Sequence, residues 1–421
     1  MTRSPSLTPH AYLLLGVTLF LVLGGVLMIY SASSVADYVH YEDSAYHAKK
    51  QLTFAVLGAI VLYLASLWDF GRRSSNAAID IRRPEAVAWG VWGAALAGLI
   101  LVETIGVGKW GATRSLDLGF AFVQPSEYAK LGCLLVTAVL LVQLRRGDIT
   151  GKTFLVRLGA VLLPVVLLIM KQPDMGTTMS LLFAVGMMLW LGGIEGRWLG
   201  LACAIGLPLA VAAIALRGYR MDRVTSFLDP WADPSETGYQ IIQSLYAFGS
   251  GGILGEGLGL SRQKFFYLPA AHTDFIFAVI GEELGLLGSL SILAAFALFA
   301  WAGMRIALSC KDHLGRLIAG GLTAMIVMQA LMNMAAVTGL MPITGIPLPL
   351  VSAGGSSLTL TLGCVGLILA VSRAGAARPV RSVRPSESLE AQRASSAQRR
   401  RDGGAHPPRF DRRRTSGRRG A

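Results

Sequence analysis

Long apolar runs separated by short polar stretches make up most of the chain. A helix that crosses a bilayer needs about 20 mainly apolar residues. Ten windows reach or approach that length: 11–31, 51–68, 86–106, 126–144, 155–170, 177–193, 197–215, 275–303, 317–339 and 350–372. The pattern therefore predicts an all-α polytopic membrane protein with ten transmembrane helices. The first window is longer than a signal-peptide core and lacks a small-residue cleavage site, so we expect a retained helix after a short tail at 1–10.

The charges between these windows predict how the chain is oriented. Cytoplasmic loops of membrane proteins carry an excess of Lys and Arg. Basic clusters follow the second, fourth and eighth windows, whereas the loop at 32–50 mixes acids with its lysines. This distribution predicts that both termini are cytoplasmic and that 32–50 and 216–274 lie outside. The second of these is a long extracytoplasmic loop between helices 7 and 8, and loops of that length are usually functional.

The composition agrees with a membrane protein and places most of the positive charge at one end. The chain has 421 residues, of which 53% are hydrophobic, and a net charge of +13. Residues 373–421 hold fourteen arginines and four acids, which accounts for +10 of that charge. We interpret this segment as a disordered, Arg-rich cytoplasmic tail. Attraction to anionic lipid is the alternative, and no nucleic-acid partner is expected.

The four cysteines lie in or beside apolar windows. They are Cys133, Cys203, Cys310 and Cys364. Free cysteines in such positions behave as small buried hydrophobic side chains. Their spacing matches neither a disulfide framework nor a metal motif.

The stretch 267–283 carries the most informative polar residues. It ends the long polar loop and begins an apolar window, with His272 and Asp274 at the junction and Glu282 and Glu283 about two helical turns later. An ionisable residue that enters a membrane segment is a functional candidate by default. The alternative is that Asp274 only caps the next helix, because Asp near a helix start accepts backbone N–H bonds.

Two further blocks combine charges with helix-start signals. Pro125 suits a first helical turn and Glu127 complements the helix dipole there, while Lys130 follows on the same face. A structural ion pair and a functional role are equally consistent with this spacing. The tight turn after the fifth window contains Lys171 and Asp174. Asp174 either starts the next helix or, together with Lys171, reaches into a polar cavity.

The remaining polar features lie in the long loop and near the last window. Residues 238–252 form an amphipathic run that suits the membrane interface, and the Gly-rich stretch 249–259 lacks the Lys-Ser/Thr ending of a nucleotide-binding loop. Prolines and glycines at 339–357 exclude a continuous helix. Non-helical backbone at membrane depth is tolerated only where it is buried in protein or lines a water-filled cavity. Just before this segment, Gln329 and Asn333 lie four residues apart and therefore share one helix face. Buried amides of this kind often form hydrogen bonds between helices.

Seven blocks in this order resemble the SEDS family of shape, elongation, division and sporulation proteins (FtsW, RodA and SpoVE), over roughly residues 11–372. They are 124–130 (Gln-Pro-Ser-Glu-Tyr-Ala-Lys), 172–177 (Gln-Pro-Asp-Met-Gly-Thr), 227–231 (Phe-Leu-Asp-Pro-Trp), 238–240 (Gly-Tyr-Gln), 268–275 (Leu-Pro-Ala-Ala-His-Thr-Asp-Phe), 281–285 (Gly-Glu-Glu-Leu-Gly) and 342–357. The resemblance implies a peptidoglycan glycosyltransferase of the bacterial cytoplasmic membrane, which polymerises lipid II at the outer face and releases undecaprenyl diphosphate. It also implies a class B penicillin-binding protein and other membrane proteins of the division machinery as partners.

The same resemblance implies roles for individual residues. Asp274 is the expected catalytic base, which takes the proton of the acceptor sugar hydroxyl. No permanently bound cofactor is expected, but the diphosphate leaving group needs positive charge or a divalent cation such as Mg or Mn, whose ligands are unknown. The expected substrate-binding residues are Arg114, Glu127, Lys130, Lys171, Asp174, Arg223, Gln240, Arg262, His272 and Ser352. Supporting residues are expected at Trp110, Glu282, Glu283, Gln329 and Asn333.

Two positions depart from the family pattern. Ala270 stands where members usually carry Glu, and Ser115 stands where many carry Trp, although Trp110 is nearby. The run at 352–357 (Ser-Ala-Gly-Gly-Ser-Ser) and the Arg-rich tail favour a division-type, FtsW-like member over an elongation-type, RodA-like one.

Two other functions are considered. One is a lipid II flippase, which would also place polar residues between helices. The other is a scaffold that only recruits a partner, which would not need Asp274. A flippase needs a polar path across the bilayer. Because the charged blocks lie mostly at the outer ends of the windows, we favour chemistry at the outer surface.

Overall fold

A computed structural model of the protein describes residues 7–68, 82–109, 112–117, 119, 122–215 and 218–376. Trp110 and the Arg-rich tail beyond residue 376 lie outside the described residues. The described part is built mainly of α-helices. They are α1 (Pro9–Tyr41), α2 (Tyr46–Ser66), α3 (Arg82–Ile105), α4 (Pro125–Arg146), α5 (Gly151–Lys171), α6 (Met175–Leu191), α7 (Gly196–Ala215), α8 (Gly218–Leu228), α9 (Tyr239–Gly251), α10 (Ile276–Ser309), α11 (His313–Val337) and α12 (Gly355–Ala376).

Each of the ten predicted windows falls on one of these helices, namely α1 to α7 and α10 to α12. Eight helices of the described part are long and apolar enough to cross a membrane: α1 to α5 and α10 to α12. Helix α6 is apolar but has only 17 residues. The all-α polytopic class is therefore confirmed, while the count of ten spans stays a prediction.

Local sequence signals fix several helix ends. Pro125 lies in the first turn of α4, and Gly147 ends this helix in a left-handed conformation (φ 78°), as glycine commonly does. Asp174 caps α6 by accepting hydrogen bonds from the backbone N–H and the hydroxyl of Thr177, at 3.1 and 2.8 Å. The helix-start interpretation of Asp174 is therefore confirmed.

The first connection is much shorter than predicted. We expected a loop at 32–50, but α1 continues to Tyr41 and α2 already begins at Tyr46. The predicted boundary was wrong because residues 32–41, although they include Asp37 and several other polar side chains, continue the helix as far as its contact with α2. Asp37 is buried there, and the rings of Tyr41 and Tyr46 stack with their centroids 3.9 Å apart. The corner between α1 and α2 is thus a packed structure.

A small antiparallel sheet interrupts the helices between α3 and α4. Its strands pair in the order β1 (Val107–Lys109), β2 (Ala112–Asp117) and β3 (Phe122–Val123). The prediction of a purely helical chain missed this sheet, because the hydropathy windows do not resolve strands this short. The middle strand of this sheet carries Arg114.

The connection from α7 to α10 contains helices of its own. Helix α9 coincides with the amphipathic run predicted at 238–252, and α8 precedes it. A 3-10 turn, Pro230–Ala232, separates these two helices. Helix α9 packs on α10 and α11. The interfacial position of this region stays a prediction.

Helix α10 is broken at Gly285, which has φ 66° and ψ −160°. The segment that follows α9 lies against this break. There the N–H of Gly257 donates to the carbonyl of Glu283 (3.0 Å), and the N–H of Leu286 donates to the carbonyl of Gly252 (2.9 Å). A Cβ on Gly285 would lie 2.4 Å from a backbone nitrogen of that segment. The close approach of the two backbones therefore requires glycine.

The cysteines divide into two groups. Cys133, Cys310 and Cys364 are buried, as predicted, and none of the four cysteines is in a disulfide. Cys203 is exposed, so the prediction was wrong for this residue. The reason is that most described side chains of α7 are exposed.

Candidate active site

A cavity of about 550 Å³ opens among the connections at one end of the helix bundle. Its walls come from β2, α8, the start of α9 and the segments before α10 and after α11. The volume is in the range of small-molecule binding sites. The charged residues that line it are Arg114, Asp222, Arg223, Glu236 and Asp274, and Gln240 also lines it.

Asp274 lies in the connection just before α10. The residue at the cap position of α10 is Phe275, and no side chain caps this helix, so the alternative that Asp274 is a helix cap is wrong. Its backbone carbonyl accepts a hydrogen bond from the amide of Asn333 (2.7 Å). Among the described residues, no donor forms a hydrogen bond with its carboxylate. The carboxylate is therefore available to a bound molecule.

The surroundings of Asp274 raise its pKa from 3.8 to about 6. Burial is the main cause, because a buried carboxylate loses hydration that stabilises its charge. The guanidinium groups of Arg114 and Arg223 oppose this rise, and the carboxylate of Asp174 adds to it. At neutral pH the group is mostly ionised yet basic enough to accept a proton, as a general base must be.

Gly345 allows three charged groups to approach one point. A Cβ on this residue would lie 3.6 Å from Oδ2 of Asp274 and 3.9 Å from a terminal nitrogen of both Arg114 and Arg223. Gly345 has φ 67°, a conformation that favours glycine. Its lack of a side chain leaves room for a ligand where the three groups meet.

Backbone carbonyls hold both arginines in place. Arg114 donates to the carbonyls of Gln172 (3.2 Å) and Pro173 (2.6 Å). Arg223 donates to the carbonyl of Ile343 (2.7 Å). Planar guanidinium groups that are fixed in this way suit the recognition of phosphate oxygens.

The two amides of α11 tie the following segment to the bundle. Asn333 donates a second hydrogen bond to the carbonyl of Ile346 (2.7 Å). Gln329 donates to the carbonyl of Pro347 (3.3 Å) and accepts a hydrogen bond from Nζ of Lys130 (2.6 Å). Gln329 and Asn333 thus hold the backbone segments beside the cavity in place. This agrees with the structural role that their spacing suggested.

Glu127 and Lys130 form the ion pair that their spacing allows. Nζ of Lys130 lies 2.8 Å from Oε1 of Glu127, and the two side chains are 0% and 5% exposed, respectively. A buried pair of this kind is stable only when its remaining donors and acceptors are satisfied, and Gln329 provides one such contact. Neither residue lines the cavity.

Glu282 and Glu283 are buried beside the break in α10. Glu282 accepts hydrogen bonds from the hydroxyl of Ser261 and from the backbone N–H groups of Arg262 (2.9 Å) and Gln263 (3.4 Å). Glu283 accepts from the hydroxyl of Ser31 on α1 (2.6 and 2.7 Å to its two oxygens) and from the N–H of Ser261 (3.3 Å). Both acids therefore fasten the segment after α9 to the bundle.

His272 and Ser352 join the two segments that flank the cavity. The hydroxyl of Ser352 donates to the carbonyl of Thr273 (2.6 Å), and the N–H of Ala353 donates to the carbonyl of His272 (3.0 Å). The ring of His272 faces the ring of His47 on α2, with centroids 4.7 Å apart. These contacts hold the backbone on the N-terminal side of Asp274.

Two predicted cations are not brought to the cavity. The side chain of Lys171 is 66% exposed and pairs with Glu103 at 2.7 Å. The side chain of Arg262 is exposed, and only its backbone N–H is used, toward Glu282. Among the candidate cations, the structure therefore brings Arg114 and Arg223 to Asp274.

Sequence reasoning missed Asp222, Glu236 and Gly345, which line the cavity. The two acids lie on opposite sides of the 3-10 turn, with no spacing signal to join them. In the sequence, Gly345 was indistinguishable from the other glycines and prolines that interrupt the helix at 339–357. Among the described residues, no group of three or more His, Cys, Asp or Glu is arranged to hold a metal.

Comparison with known proteins identifies the family. The family described as "Cell cycle protein" (FtsW, RodA, SpoVE) matches residues 11–376. Stage V sporulation protein E of Bacillus subtilis is 39% identical over 369 residues, which cover 86% of this chain and 96% of that protein. The probable peptidoglycan glycosyltransferase FtsW of Trichlorobacter lovleyi is 37% identical, covering 87% of this chain and 94% of that protein.

Solved structures give the same result for the fold. A chain described under "Structural coordination of polymerization and crosslinking by a peptidoglycan synthase complex" has a TM-score of 0.68 and 30% identity, covering 86% of this chain and 97% of that one. The crystal structure of the Thermus thermophilus rod shape determining protein RodA has a TM-score of 0.61 and 28% identity, covering 86% and 95%. The several apolar helices and these relatives indicate a multi-pass bacterial membrane protein. The chain belongs to the FtsW/RodA/SpoVE family.

Proposed function

We propose that the protein is a peptidoglycan glycosyltransferase that polymerises lipid II. The observation that carries this proposal is the available carboxylate of Asp274, with its raised pKa, in one cavity with two fixed guanidinium groups. A base beside an anion-binding place is what sugar transfer from a diphosphate carrier requires. Relatives that are named probable peptidoglycan glycosyltransferases support the same activity.

In the proposed reaction, Asp274 accepts the proton of the acceptor sugar hydroxyl. The hydroxyl oxygen forms a bond to the anomeric carbon of the donor sugar while the bond from that carbon to the diphosphate oxygen breaks. The undecaprenyl diphosphate leaves with the electron pair of the broken bond. The proton stays on Asp274 until it is released to solvent.

Arg114 and Arg223 neutralise the diphosphate in this proposal. A divalent cation would fit only with help from the substrate, because the described residues do not form a metal-binding cluster by themselves. Mg²⁺ is commonly held by one or two carboxylates together with substrate phosphates. Asp222 and Glu236 are the carboxylates of the cavity that would serve, and the ion would supply further charge neutralisation.

The position of the cavity favours polymerisation over flipping. Its walls lie where α11 ends and where α10 begins, beside the turn that joins α5 to α6, all at one end of the bundle. A flippase needs polar groups along a path from one face of the membrane to the other. Clustering at one end instead suits a reaction at one membrane surface.

We further propose a division-type role, with both termini in the cytoplasm and the cavity at the outer face. The relatives named FtsW support the first part, and the basic loops support the second. A class B penicillin-binding protein is the proposed partner, in an assembly with other division proteins. The similarity to a chain of a complex that coordinates polymerization and crosslinking supports such a pairing.

Polymerisation of purified lipid II by the purified protein tests the proposed activity, alone and with a class B penicillin-binding protein. The informative variant is Asp274→Asn, since Asn keeps the shape of Asp but cannot accept the proton. General-base catalysis contributes about 10²–10⁴-fold, so we expect only a trace of polymer.

Asp312→Asn is the matched control, because Asp312 caps α11 and Asn caps about as well as Asp. Thermal unfolding checks that both variants are folded. Near-normal polymer from a folded Asp274→Asn protein would refute the role of Asp274 as the base.

A further inference from the structure

The corner between α1 and α2 contains a buried acid, Asp37, paired with a partly exposed histidine, His47, and the proposed reaction uses neither. Asp37 is 1% exposed. Its carboxylate accepts hydrogen bonds from the hydroxyl of Ser33 (2.7 Å), from the backbone N–H of His47 (3.0 Å) and from Nδ1 of the same ring. These contacts to the backbone and to the ring fix the orientation of His47.

The ring that is fixed in this way faces the segment that carries Asp274. The centroids of His47 and His272 are 4.7 Å apart, and their planes are inclined by 45°. His272 precedes Asp274 by two residues, and its carbonyl is held by the N–H of Ala353. The contact therefore links the corner to the backbone that positions the carboxylate.

One helical turn after His47, a second side chain of α2 makes a similar link. Nε2 of Gln51 donates to the carbonyl of Ser352 (3.1 Å), and its Oε1 accepts from the N–H of Gly354 (3.2 Å). Ser352 in turn donates to the carbonyl of Thr273. One face of α2 therefore contacts both segments that meet beside Asp274.

We propose that Asp37 and His47 are positioning residues, which hold the segment 268–275 and thereby aim the carboxylate of Asp274 at the acceptor hydroxyl. This inference rests on the proposed glycosyltransferase activity. The carboxylate has no hydrogen-bond donor of its own among the described residues, so its placement depends on its backbone. Asn333 holds that backbone on the α11 side, and the His47–His272 contact holds it on the α2 side.

The competing interpretation is that the pair only closes the corner between two helices. The two interpretations differ in what a His47→Ala variant loses. If the pair only stabilises the corner, the His47→Ala variant should lose stability, and its activity should fall in proportion to the folded fraction. A positioning pair would lower kcat at full folding, because displacement of a catalytic group by about 1 Å can reduce the rate about 100-fold.

The experiment compares His47→Ala, Asp37→Asn and Lys49→Ala in the purified full chain, with lipid II as substrate. Lys49 is the matched control, since it lies on the same turn of α2 but pairs with the partly exposed Asp43. We expect His47→Ala to lower kcat by about 10- to 100-fold with KM changed less than about twofold. Asp37→Asn, which can still accept one hydrogen bond from the ring, should fall in between, and Lys49→Ala should match the wild type.

Amide hydrogen exchange of residues 270–278 provides the second measurement. We expect it to be faster in His47→Ala than in Lys49→Ala, with α11 unchanged. An unchanged kcat per folded molecule, or faster exchange confined to the corner itself, would overturn the proposal. If the wild type made no polymer, the proposed function would fall, whereas an active Asp274→Asn variant would remove only the role of Asp274 as the base. In either case the exchange result would still decide whether His47 restrains this segment.

Discussion

The acids on the two sides of the start of α10 have opposite surroundings. Glu282 receives several hydrogen bonds, from a hydroxyl and from backbone N–H groups, inside a packed joint between segments. Asp274 lies in a cavity, and none of the described donors bonds to its carboxylate. Both are acids in or beside one long helix, so residue type and depth alone would assign them the same role.

Under the proposed function, satisfaction of hydrogen bonds separates the structural acid, Glu282, from the reactive one, Asp274. A carboxylate whose acceptor sites are filled by fixed donors is stabilised in its charged form and is not free to take a proton. A carboxylate that is buried without such donors has a raised pKa and can do so. Each of the following predictions tests one side of this contrast.

Removal of the structural acid should produce the largest change in stability. Glu282→Ala leaves one hydroxyl and two N–H groups without their acceptor, and each such buried group destabilises by about 1–3 kcal/mol. We expect a loss on the order of 3 kcal/mol or more in unfolding free energy, measured by denaturation of the purified protein. Asp274→Ala is the comparison and should change stability by less than about 1 kcal/mol, since its carboxylate is not a partner of any described donor. Equal losses would remove the contrast.

Acidification should affect the reactive acid by about tenfold. The pKa of Asp274 is raised to about 6, so its ionised fraction falls about tenfold between pH 7 and pH 5, and polymerisation should fall with it. Unfolding through this group cannot explain such a loss. A carboxyl group whose pKa is higher in the folded state adds stability as the pH falls below that value. An activity that stays flat down to pH 5 would show that a group with an ordinary pKa acts as the base.

A methyl group at the meeting point of the charges should have the smallest effect. Gly345→Ala places a Cβ in ordinary contact with Asp274 and the two arginines and imposes a left-handed conformation that destabilises by about 1–2 kcal/mol. Gly147→Ala imposes the same conformation (φ 78°) with no atom within 4 Å. We expect similar losses of thermal stability but a several-fold rise of KM only in Gly345→Ala. A matching rise in both variants would show that strain, and not the cavity, is responsible.

The sequence predicted the parts of the molecule that follow from local chemistry. Hydropathy located the ten windows, Pro125 and Asp174 marked helix starts, and the spacing of Glu127 and Lys130 indicated their ion pair. These features depend on residues that are close together in the chain. The family resemblance then indicated Asp274, which the residue types alone had left undecided between a cap and a functional acid.

The rest could not be predicted because it depends on pairs that are distant in sequence. Gln51 bonds to residues about 300 positions later, and no periodicity within α2 reveals that. Lys171 looked equivalent to Arg114 as a candidate for the diphosphate, but its side chain is exposed and pairs with Glu103. Residues 32–41 looked like a loop because several of them are polar. The partner of Asp37 is His47, ten positions later on the next helix, and no pattern within α1 shows that contact.

The break at Gly285 also bears on depth in the membrane. Helix α10 has 34 residues and would measure about 51 Å at 1.5 Å per residue, against about 30 Å for the hydrocarbon layer. The part after the break, 286–309, is about 36 Å long and can span that layer alone with some tilt. The part before the break can therefore stand at the level of the lipid head groups. At that level, in the proposed reaction, the polyprenyl chain stays among the acyl chains while its diphosphate reaches Asp274.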